Sequence, residues 1–314
     1  MSKTLIINYA FPPNEGVGGR RWAKFCKYMH KAKEDFVVVC KRPVDSVVQS
    51  KWQIDAENFI DKITFFDFGY PSVLEQNEFS ITDKIKYRIA LKKVKLLSKG
   101  NYYDRSCLSS IRLKIYIRKL IKEQSITSDV VSVAPIGIAK INGELKQEFK
   151  DIKLIVDFRD PWIDNETSYG IDSMSESRKL FEQESEKEVI RNFDTIISVS
   201  NVMTENFVKR YPNQTANKFF TIPNGFDSED VTKKTVLKDA NKIKWVFMGT
   251  DYEKANHHII TLCKQLEIIK ERDIANYNKI SINCYGAKPF KIAGFEDAFT
   301  FHEAVSIGEV SEVL

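Results

Sequence analysis

Short apolar segments recur along the chain, and each has the length of a β-strand. They contain almost no polar residues, which is typical of strands buried on both faces of a parallel sheet. Seven of them precede residue 223: Leu5–Tyr9, Phe36–Cys40, Ile63–Phe66, Val130–Val133, Leu154–Asp157, Thr195–Val199 and Phe219–Ile222. The pattern therefore predicts a buried parallel sheet in this part of the chain.

Segments with apolar residues at helical spacing lie between several of these strands. They are Arg20–Lys31, Lys84–Leu97, Ser109–Glu123, Ser175–Asn192 and Val202–Arg210. Alternating strands and helices are typical of a doubly wound α/β domain, because the connecting helices cover both faces of the sheet.

The alternation stops at "IPNGFDSED", Ile222–Asp230, where Pro, Asn and Gly predict a turn and a domain boundary. A second series follows, with strands in Lys244–Thr250, Lys279–Ala287 and Phe299–Val305. We predict two Rossmann-like domains, residues 1–228 and 229–314. Three strands are fewer than such a sheet normally has, so we expect the second domain to be incomplete in this chain.

The composition excludes several classes of protein. Apolar residues make up 43% and charged residues 29% of the 314 residues, so the chain can bury a core and is not disordered. Its apolar runs are too short for a membrane span or a signal peptide. Five scattered cysteines without a CxxC pair, and four histidines without metal-ligand spacing, favour a reduced cytoplasmic protein without a structural metal.

Positive charge is concentrated in residues 83–122, which carry 13 Lys or Arg residues and only two acidic ones, Asp83 and Asp104. A helical wheel predicts a core-facing side made of Tyr87, Ala90, Leu91, Val94 and Leu97. Ile85, Ile89 and Leu96 fall on the opposite side, among basic residues. The next helix repeats this design: Leu113, Ile117, Leu120 and Ile121 are predicted to face the core, whereas Ile111 and Ile115 stand outside among Arg112, Lys114 and Arg118.

Apolar side chains in a basic field are typical of a surface that contacts anionic lipid headgroups. We therefore predict a protein that is peripheral on the inner face of the cytoplasmic membrane. Its predicted membrane-facing residues are Lys84, Arg88, Lys92, Lys93 and Lys95. The alternative is a solvated basic face whose isoleucines touch a neighbouring loop. Nucleic acid is not expected as a partner, because no recognition motif accompanies the basic block.

A glycine-rich turn, "FPPNEGVGGRRW" (Phe11–Trp22), directly follows the first predicted strand. A strand, such a turn and then a helix is an arrangement that binds phosphate through free N–H groups and the helix dipole. The turn is neither a dinucleotide fingerprint nor a P-loop, because Arg20 and Arg21 stand where those motifs require other residues. The alternative is an ordinary strand–helix turn that the prolines stiffen.

A second candidate motif, "DFRDPW", follows the strand at Leu154–Val156. It places Asp157, Arg159 and Asp160 at the sheet edge where ligands bind in open α/β folds. Asp160 precedes a proline, which favours extended backbone, so its carboxylate suits binding a hydroxyl group or accepting its proton. The alternative is that Arg159 pairs with a neighbouring carboxylate to lock the loop, with Trp162 in the core.

Taken in order, these stretches resemble the family 4 glycosyltransferases of GT-B fold, and most closely the bacterial branch that builds capsule, O-antigen or exopolysaccharide. The stretches are "YAFPPNEGVGGRRWAKF", "VDFRDPW", "DTIISVSNVMTENF", "IPNGFD", "WVFMGT" and "FTFHEAVSIGEV". The resemblance implies an N-terminal domain for the acceptor and a C-terminal domain for the nucleotide-sugar. It also implies transfer to a glycan acceptor that is expected to be lipid-linked, with retention of anomeric configuration and without a metal or other cofactor.

The resemblance also implies roles for single residues. Asp160 is the catalytic candidate. The candidates for binding donor or acceptor are Gly18, Gly19, Arg20, Arg159, Asn224, Gly225, Gly249, Thr250 and Lys254. Gly18 and Gly19 would leave room for the donor sugar and its phosphates, and one of Arg20 and Arg21 would reach an anion. For Lys254, a solvated lysine is the alternative.

The sequence departs from the family pattern in its last third. The two-glutamate donor motif E-x7-E of the C-terminal domain is missing, and the spacing match at Glu176 and Glu184 falls in an N-domain helix. There, two residues eight positions apart merely share a face. The hypothesis from a different class is therefore a catalytically inactive remnant of such a transferase that acts only as a binding module.

Overall fold

The structure is a computed structural model. It describes residues 2–14, 17–43, 52–76, 80–164, 174–230, 241–249, 257–287, 294–305 and 309–313. The chain divides into two compact units, Met1–Gly225 and Phe226–Leu314. Each unit is built on its own parallel sheet, and the prediction of a mixed α/β fold with two Rossmann-like domains is confirmed.

The first unit contains a seven-stranded sheet in which all strands run parallel. The strands are β1 (Lys3–Asn8), β2 (Asp35–Lys41), β3 (Ile63–Phe66), β4 (Ser128–Val133), β5 (Lys153–Phe158), β6 (Thr195–Ser198) and β7 (Phe219–Thr221). Their order across the sheet is β3-β2-β1-β4-β5-β6-β7. The order reverses between β1 and β4, so the chain is doubly wound around that point.

The described residues of this unit form six α-helices: α1 (Val17–Lys31), α2 (Ile81–Leu97), α3 (Ser110–Gln124), α4 (Gly137–Leu145), α5 (Glu176–Asn192) and α6 (Asn201–Arg210). Five of them fall where helical spacing predicts them. The sequence gives little sign of α4, because it is short and contains Gly137 and Gly143. Gly143 lets the helix pack closely, since a Cβ there would lie 3.3 Å from the Phe193 ring.

Alternate residues of the strands enter two different cores. Ile6 and Val38 pack on α1 through Trp22 and Cys26. Leu5 and Ile7 face the other side of the sheet, where the core includes residues of α3 to α6, among them Leu113, Ile138, Ile190 and Phe207. Burial on both faces explains why these strands read as continuous apolar runs.

The side of helix α2 that was predicted to face the core is only partly buried. Of the residues predicted to face the core, Val94 is fully buried, whereas the side chain of Leu97 is 57% exposed. The helix begins with a capping box in which Ser80 Oγ accepts a hydrogen bond from the Asp83 backbone and the Asp83 carboxylate accepts one from the Ser80 backbone. In α3, Leu113, Ile117, Leu120 and Ile121 are buried as predicted.

The second unit contains a three-stranded parallel sheet in the order β10-β9-β8. Its elements are β8 (Ile243–Met248), α7 (His257–Arg272), α8 (Ile274–Tyr277), β9 (Ile280–Tyr285), β10 (Phe299–His302) and α9 (Val310–Val313). Leu266 of α7 packs on Ile282 and Cys284 of β9. The neighbouring β8 side chains in register with these, Trp245 and Phe247, are exposed instead.

Candidate functional site

The carboxyl ends of β1 and β4 lie side by side at the point where strand order reverses. Ligands of open α/β sheets bind in the crevice outside such a point. In the row that closes β1, Asn8 is in register with Ser132 of β4, which is in register with Asp157 of β5. All three polar side chains are buried. The candidate residues of the first unit surround this row.

Arg159 and Gly18 meet above this edge. The Arg159 guanidinium donates hydrogen bonds from Nε to the carbonyl of Val133 (2.9 Å) and from Nη2 to the carbonyl of Ala134 (3.0 Å). A Cβ on Gly18 would lie 2.3 Å from Arg159 Nη1. Gly18 therefore leaves the space that the guanidinium occupies, and two motifs predicted separately are brought together.

Gly19 has a different structural reason. It is buried in the first turn of α1, and a Cβ there would lie 2.1 Å from the backbone oxygen of Ala10. Its lack of a side chain lets the helix pack against the turn that precedes it. The backbone N–H groups of this first helical turn have no partner within the helix, as at any helix N-terminus. Asn8 Nδ2 donates to the carbonyl of Gly18 (3.3 Å), which ties the turn to β1.

Arg20 and Arg21 point to different partners. The Arg20 guanidinium lies over the Trp52 ring, 4.4 Å from its centroid. Arg21 forms a buried ion pair with Asp157, with Nε 2.9 Å from Oδ2 and Nη2 3.3 Å from Oδ1. Trp22 Nε1 donates to the same carboxylate (2.8 Å). Two side chains of α1 therefore bind the Asp157 carboxylate, and the ion pair that holds this part of the site is formed with Arg21.

Arg21 also reaches the connection after β7. It donates to the carbonyls of Ile222 (2.8 Å) and Pro223 (3.0 Å) and to Asn224 Oδ1 (3.3 Å). Asn224 is therefore joined to the same network as Asp157, although it is exposed. Among the residues that the structure describes, nothing lies within 4 Å of a Cβ built on Gly225. The sequence did not indicate which of the neighbouring Arg20 and Arg21 would join this network.

Asp160 lies at the exposed tip of the loop after β5. It makes no hydrogen bond or ion pair with the part of the chain that the structure describes, so its carboxylate is available to a ligand. Hydrogen bonds to α5 hold the residues that follow Asp160 in place. Trp162 is buried and donates from Nε1 to Glu182 Oε2 (2.8 Å), and the Ile163 backbone donates to Glu186 Oε2 (3.2 Å).

Glu186 is fully buried and has several donors. Tyr211 donates from its hydroxyl (2.6 Å) and Arg210 from Nη1 (2.8 Å), both to Oε1. Burial raises the pKa of Glu186 to about 7, against the effect of the hydrogen bonds from Tyr211 and Ile163. Burial also raises the pKa of Glu182. These two carboxylates hold the Asp160 loop and were not predicted from the sequence, since a Glu on a helix is ordinarily solvated.

In the second unit, Gly249 follows β8 with φ of +149°, a conformation that residues with side chains rarely adopt. Its N–H donates to the carbonyl of Tyr285 (3.1 Å), so the turn after β8 is fixed to β9. Thr250 and Lys254, also predicted to bind the donor, lie outside the described residues. Glu176 and Glu184 are exposed and pair with Lys179 and Lys187 of their own helix.

The predicted membrane-facing residues of α2 are all exposed. Lys84, Arg88, Lys92 and Lys93 make no ion pair with any described residue. The Lys95 ammonium lies over the Tyr102 ring, 4.6 Å from its centroid. Beside them, Ile85, Ile89 and Leu96 are 59%, 65% and 84% exposed.

The basic field predicted for α3 is partly wrong. Lys114 pairs with Glu144 (2.8 Å) and Arg118 with Glu148 (2.6 Å), both on α4. These ion pairs neutralise charges that the sequence alone assigned to a surface. Ile111 and Ile115 nevertheless remain exposed, as predicted. No helix in the described residues is long and apolar enough to cross a membrane.

Solved structures match nearly the whole chain, among them the GtfA/B complex and OtsA. The GtfA/B complex aligns with 98% of this chain and 78% of its own, at 9% identity and a TM-score of 0.52. OtsA in its apo form aligns with 97% of this chain and 74% of its own, at 10% identity and a TM-score of 0.51. Both have two Rossmann-like domains of the GT-B type. This chain has the GT-B fold.

The structural match establishes the GT-B fold. At identities this low it says nothing about the reaction, which has to be argued from the residues. No protein-family model and no curated protein matches the sequence. Within the fold, Gly18, Arg159 and Asp160 stand at the carboxyl edge of the first sheet, where ligands of open α/β folds bind.

Proposed function

We propose that this protein is a glycosyltransferase that moves a sugar from a nucleotide-sugar donor to a glycan acceptor. The observation that carries the proposal is the meeting of Gly18 with Arg159 at the reversal point of a GT-B sheet, with the Asp160 carboxylate exposed beside it. The order of motifs supports the finer proposal of a family 4 enzyme in cell-surface polysaccharide synthesis. Its acceptor would be lipid-linked.

The chemistry follows from the charges at this edge. The leaving nucleoside diphosphate gains negative charge in the transition state, and fixed donors aimed at it lower the barrier. Arg159 and the N-terminal end of α1, with its helix dipole, are suited to that task. Asp160 would bind the acceptor hydroxyl or accept its proton. We propose retention of anomeric configuration and a reaction that needs no metal, so turnover should persist in the presence of a chelator.

The test is nucleotide release from a panel of nucleotide-sugars by the wild-type chain, followed by the variant Asp160→Asn with the best donor. Asp151→Asn is the matched control, because Asp151 is equally exposed but lies before the amino end of β5. We expect Asp160→Asn to lower kcat by about 10²-fold or more with an unchanged melting temperature, and the control to behave as wild type.

Equal turnover by Asp160→Asn would remove Asp160 from the mechanism. Binding of nucleotide-sugars without any release would favour the alternative function, a binding module without catalysis. No binding of any nucleotide-sugar would contradict the proposed function as a whole.

We also propose that the exposed face of α2 contacts an anionic membrane, on the cytoplasmic side, and so brings the protein to a lipid-linked acceptor. The four cations without ion-pair partners would each contribute about 1 kcal/mol near an anionic leaflet. Ile85, Ile89 and Leu96 would add apolar insertion between the headgroups. A solvated basic face is the alternative.

Co-sedimentation with vesicles tests this surface. Binding should require anionic lipid, weaken with salt, and fall when Lys92, Lys93 and Lys95 are changed to Glu. The matched control changes three other exposed lysines to Glu: Lys150, Lys153 and Lys264. The proposal fails if both triple variants lose the same binding, or if wild type binds neutral vesicles equally well or neither kind.

A further inference from the structure

The connection between α2 and α3, residues 98–109, lies across the carboxyl edge of the first sheet. We call it the strap. The Tyr102 carbonyl accepts a hydrogen bond from the hydroxyl of Tyr70, which follows β3 (3.2 Å). Arg105 pairs with Glu75 (Nε to Oε1, 3.2 Å), and Glu75 in turn accepts from the hydroxyl of Tyr9, which follows β1 (2.8 Å).

The strap also reaches the connections after β4 and β5. Asp104 Oδ2 accepts from the Gly137 backbone at the start of α4 (2.9 Å). The Asn101 backbone donates to Glu182 Oε1 (2.5 Å), and this is the carboxylate that holds Trp162 in the Asp160 loop. One short segment is therefore linked to the connections after four strands, directly or through Glu75 and Glu182, and it borders the candidate site.

Most polar groups of the strap are used to hold it in place. The Asp104 carboxylate also accepts from the Ser106 backbone (2.8 Å), so it joins the strap to the first N–H group of α4. Arg178 of α5 donates from Nη1 to the carbonyl of Gly100 (2.7 Å). A segment anchored at so many points presents its remaining side chains in a fixed arrangement.

Two side chains of the strap that keep exposed surface are an aromatic one, Tyr103, and a basic one, Arg105. The Tyr103 ring is half-buried and packs against the Tyr102 ring, with centroids 4.5 Å apart. The Arg105 side chain is 49% exposed. Lys41 and Arg105 both pair with the single carboxylate of Glu75, so Arg105 shares this partner with a second cation.

We propose that the strap binds the acceptor, and that the acceptor is a sugar carrying a phosphate or a carboxylate. Tyr103 offers its ring to the C–H face of the sugar, and Arg105 offers its guanidinium to the anionic group, which its planar fork recognises well. The inference rests on the proposed function, because it names the acceptor side of the same site. The anion can belong to a lipid diphosphate or to a sugar acid of the glycan.

Binding measurements on the full chain separate these cases. The probes are N-acetylglucosamine 1-phosphate, glucuronic acid and the neutral N-acetylglucosamine, with UDP as a separate ligand for the donor site. We expect at least one anionic probe to bind more tightly than the neutral sugar. Preference for the phosphate points to the lipid diphosphate, and preference for glucuronic acid points to a sugar acid.

The variants are Arg105→Gln and Tyr103→Ala. The matched control is Arg191→Gln, because it removes an exposed cation in the last turn of α5, away from the strap. Loss of a charge-assisted hydrogen bond should weaken the anionic probe about tenfold in Arg105→Gln. Tyr103→Ala should weaken all sugar probes, and the control should match wild type. UDP binding should be unchanged in all three variants.

Because Arg105 pairs with Glu75, a variant that keeps the charge serves as a check on folding. Arg105→Lys should retain the wild-type melting temperature and still lose affinity for the anionic probe, since it lacks the guanidinium fork. The strap inference is overturned if UDP binds while the neutral sugar binds as well as the anionic probes, or if Arg105→Gln matches the control. If no nucleotide-sugar of the panel binds but the anionic probes bind through Arg105, the anion site on the strap stands and the proposed function falls.

Discussion

A buried carboxyl group on β4 gives the sharpest test of the structure. Asp129 has no exposed surface, and its Oδ2 accepts a hydrogen bond from Asn142 Nδ2 of α4 (2.8 Å). Its other oxygen, Oδ1, has no partner among the described residues, and neither has Asn142 Oδ1. Burial raises the pKa of Asp129 to about 8. The native protein therefore keeps this carboxyl protonated at neutral pH.

The substitution Asp129→Asn keeps the shape of the protonated group. The Oδ1 atom of the new asparagine can accept from Asn142 Nδ2, as Asp129 Oδ2 does. Its amide nitrogen takes the place of Asp129 Oδ1, which has no partner among the described residues. The variant has no proton to lose, so it removes the pH dependence that comes from this site while leaving the packing unchanged.

The magnitude follows from proton linkage. The pKa is raised on folding, so the stabilisation is complete below the unfolded value of 3.8 and is lost as pH rises towards the folded value of about 8. Each pH unit in this window removes about 1.4 kcal/mol from the free energy of unfolding. At pH 7 the wild type should have lost roughly 4 kcal/mol relative to acid conditions through this one group.

The assay is denaturant unfolding of wild type and Asp129→Asn at several pH values between 5 and 9. The difference in unfolding free energy should grow in favour of the variant up to about pH 8 and then level off. Asp151→Asn, on the surface, should show no such trend. A constant difference across the pH range, or a variant less stable than wild type at pH 7, would show that Asp129 is not held protonated.

Three further outcomes are expected, each followed by thermal or denaturant unfolding. Gly19→Val should lower the melting temperature strongly, because its Cβ would overlap the Ala10 carbonyl. Gly18→Ala should be tolerated, because its Cβ meets only the end of the Arg159 side chain. A wild-type melting temperature for Gly19→Val would contradict the close contact. Arg21→Leu should cost about 3–5 kcal/mol, since it leaves the buried Asp157 carboxylate without its cation; a loss under 1 kcal/mol would show that Trp22 alone satisfies it. Gly100→Ala should destabilise the strap, because a Cβ there would lie 2.0 Å from Glu182 Oε1, and an unchanged melt would show that the strap can shift away.

The sequence by itself determined the architecture. Strands such as β1 and β4 are buried on both faces, so their apolar composition is a local property that can be seen without neighbours. The spacing of helices α1, α3 and α5 is local in the same way. These patterns predicted two Rossmann-like domains, and the structure confirmed that fold class.

The tertiary structure decided which side chains meet. Arg21 pairs with Asp157, a carboxylate 136 positions away, and Lys114 and Arg118 form ion pairs with Glu144 and Glu148 of α4. The sequence pattern did not predict helix α4, because packing, rather than a periodic pattern, stabilises its glycine-containing segment. Pairing of polar groups depends on distances across the sheet, and those distances exist only once the strands are in register.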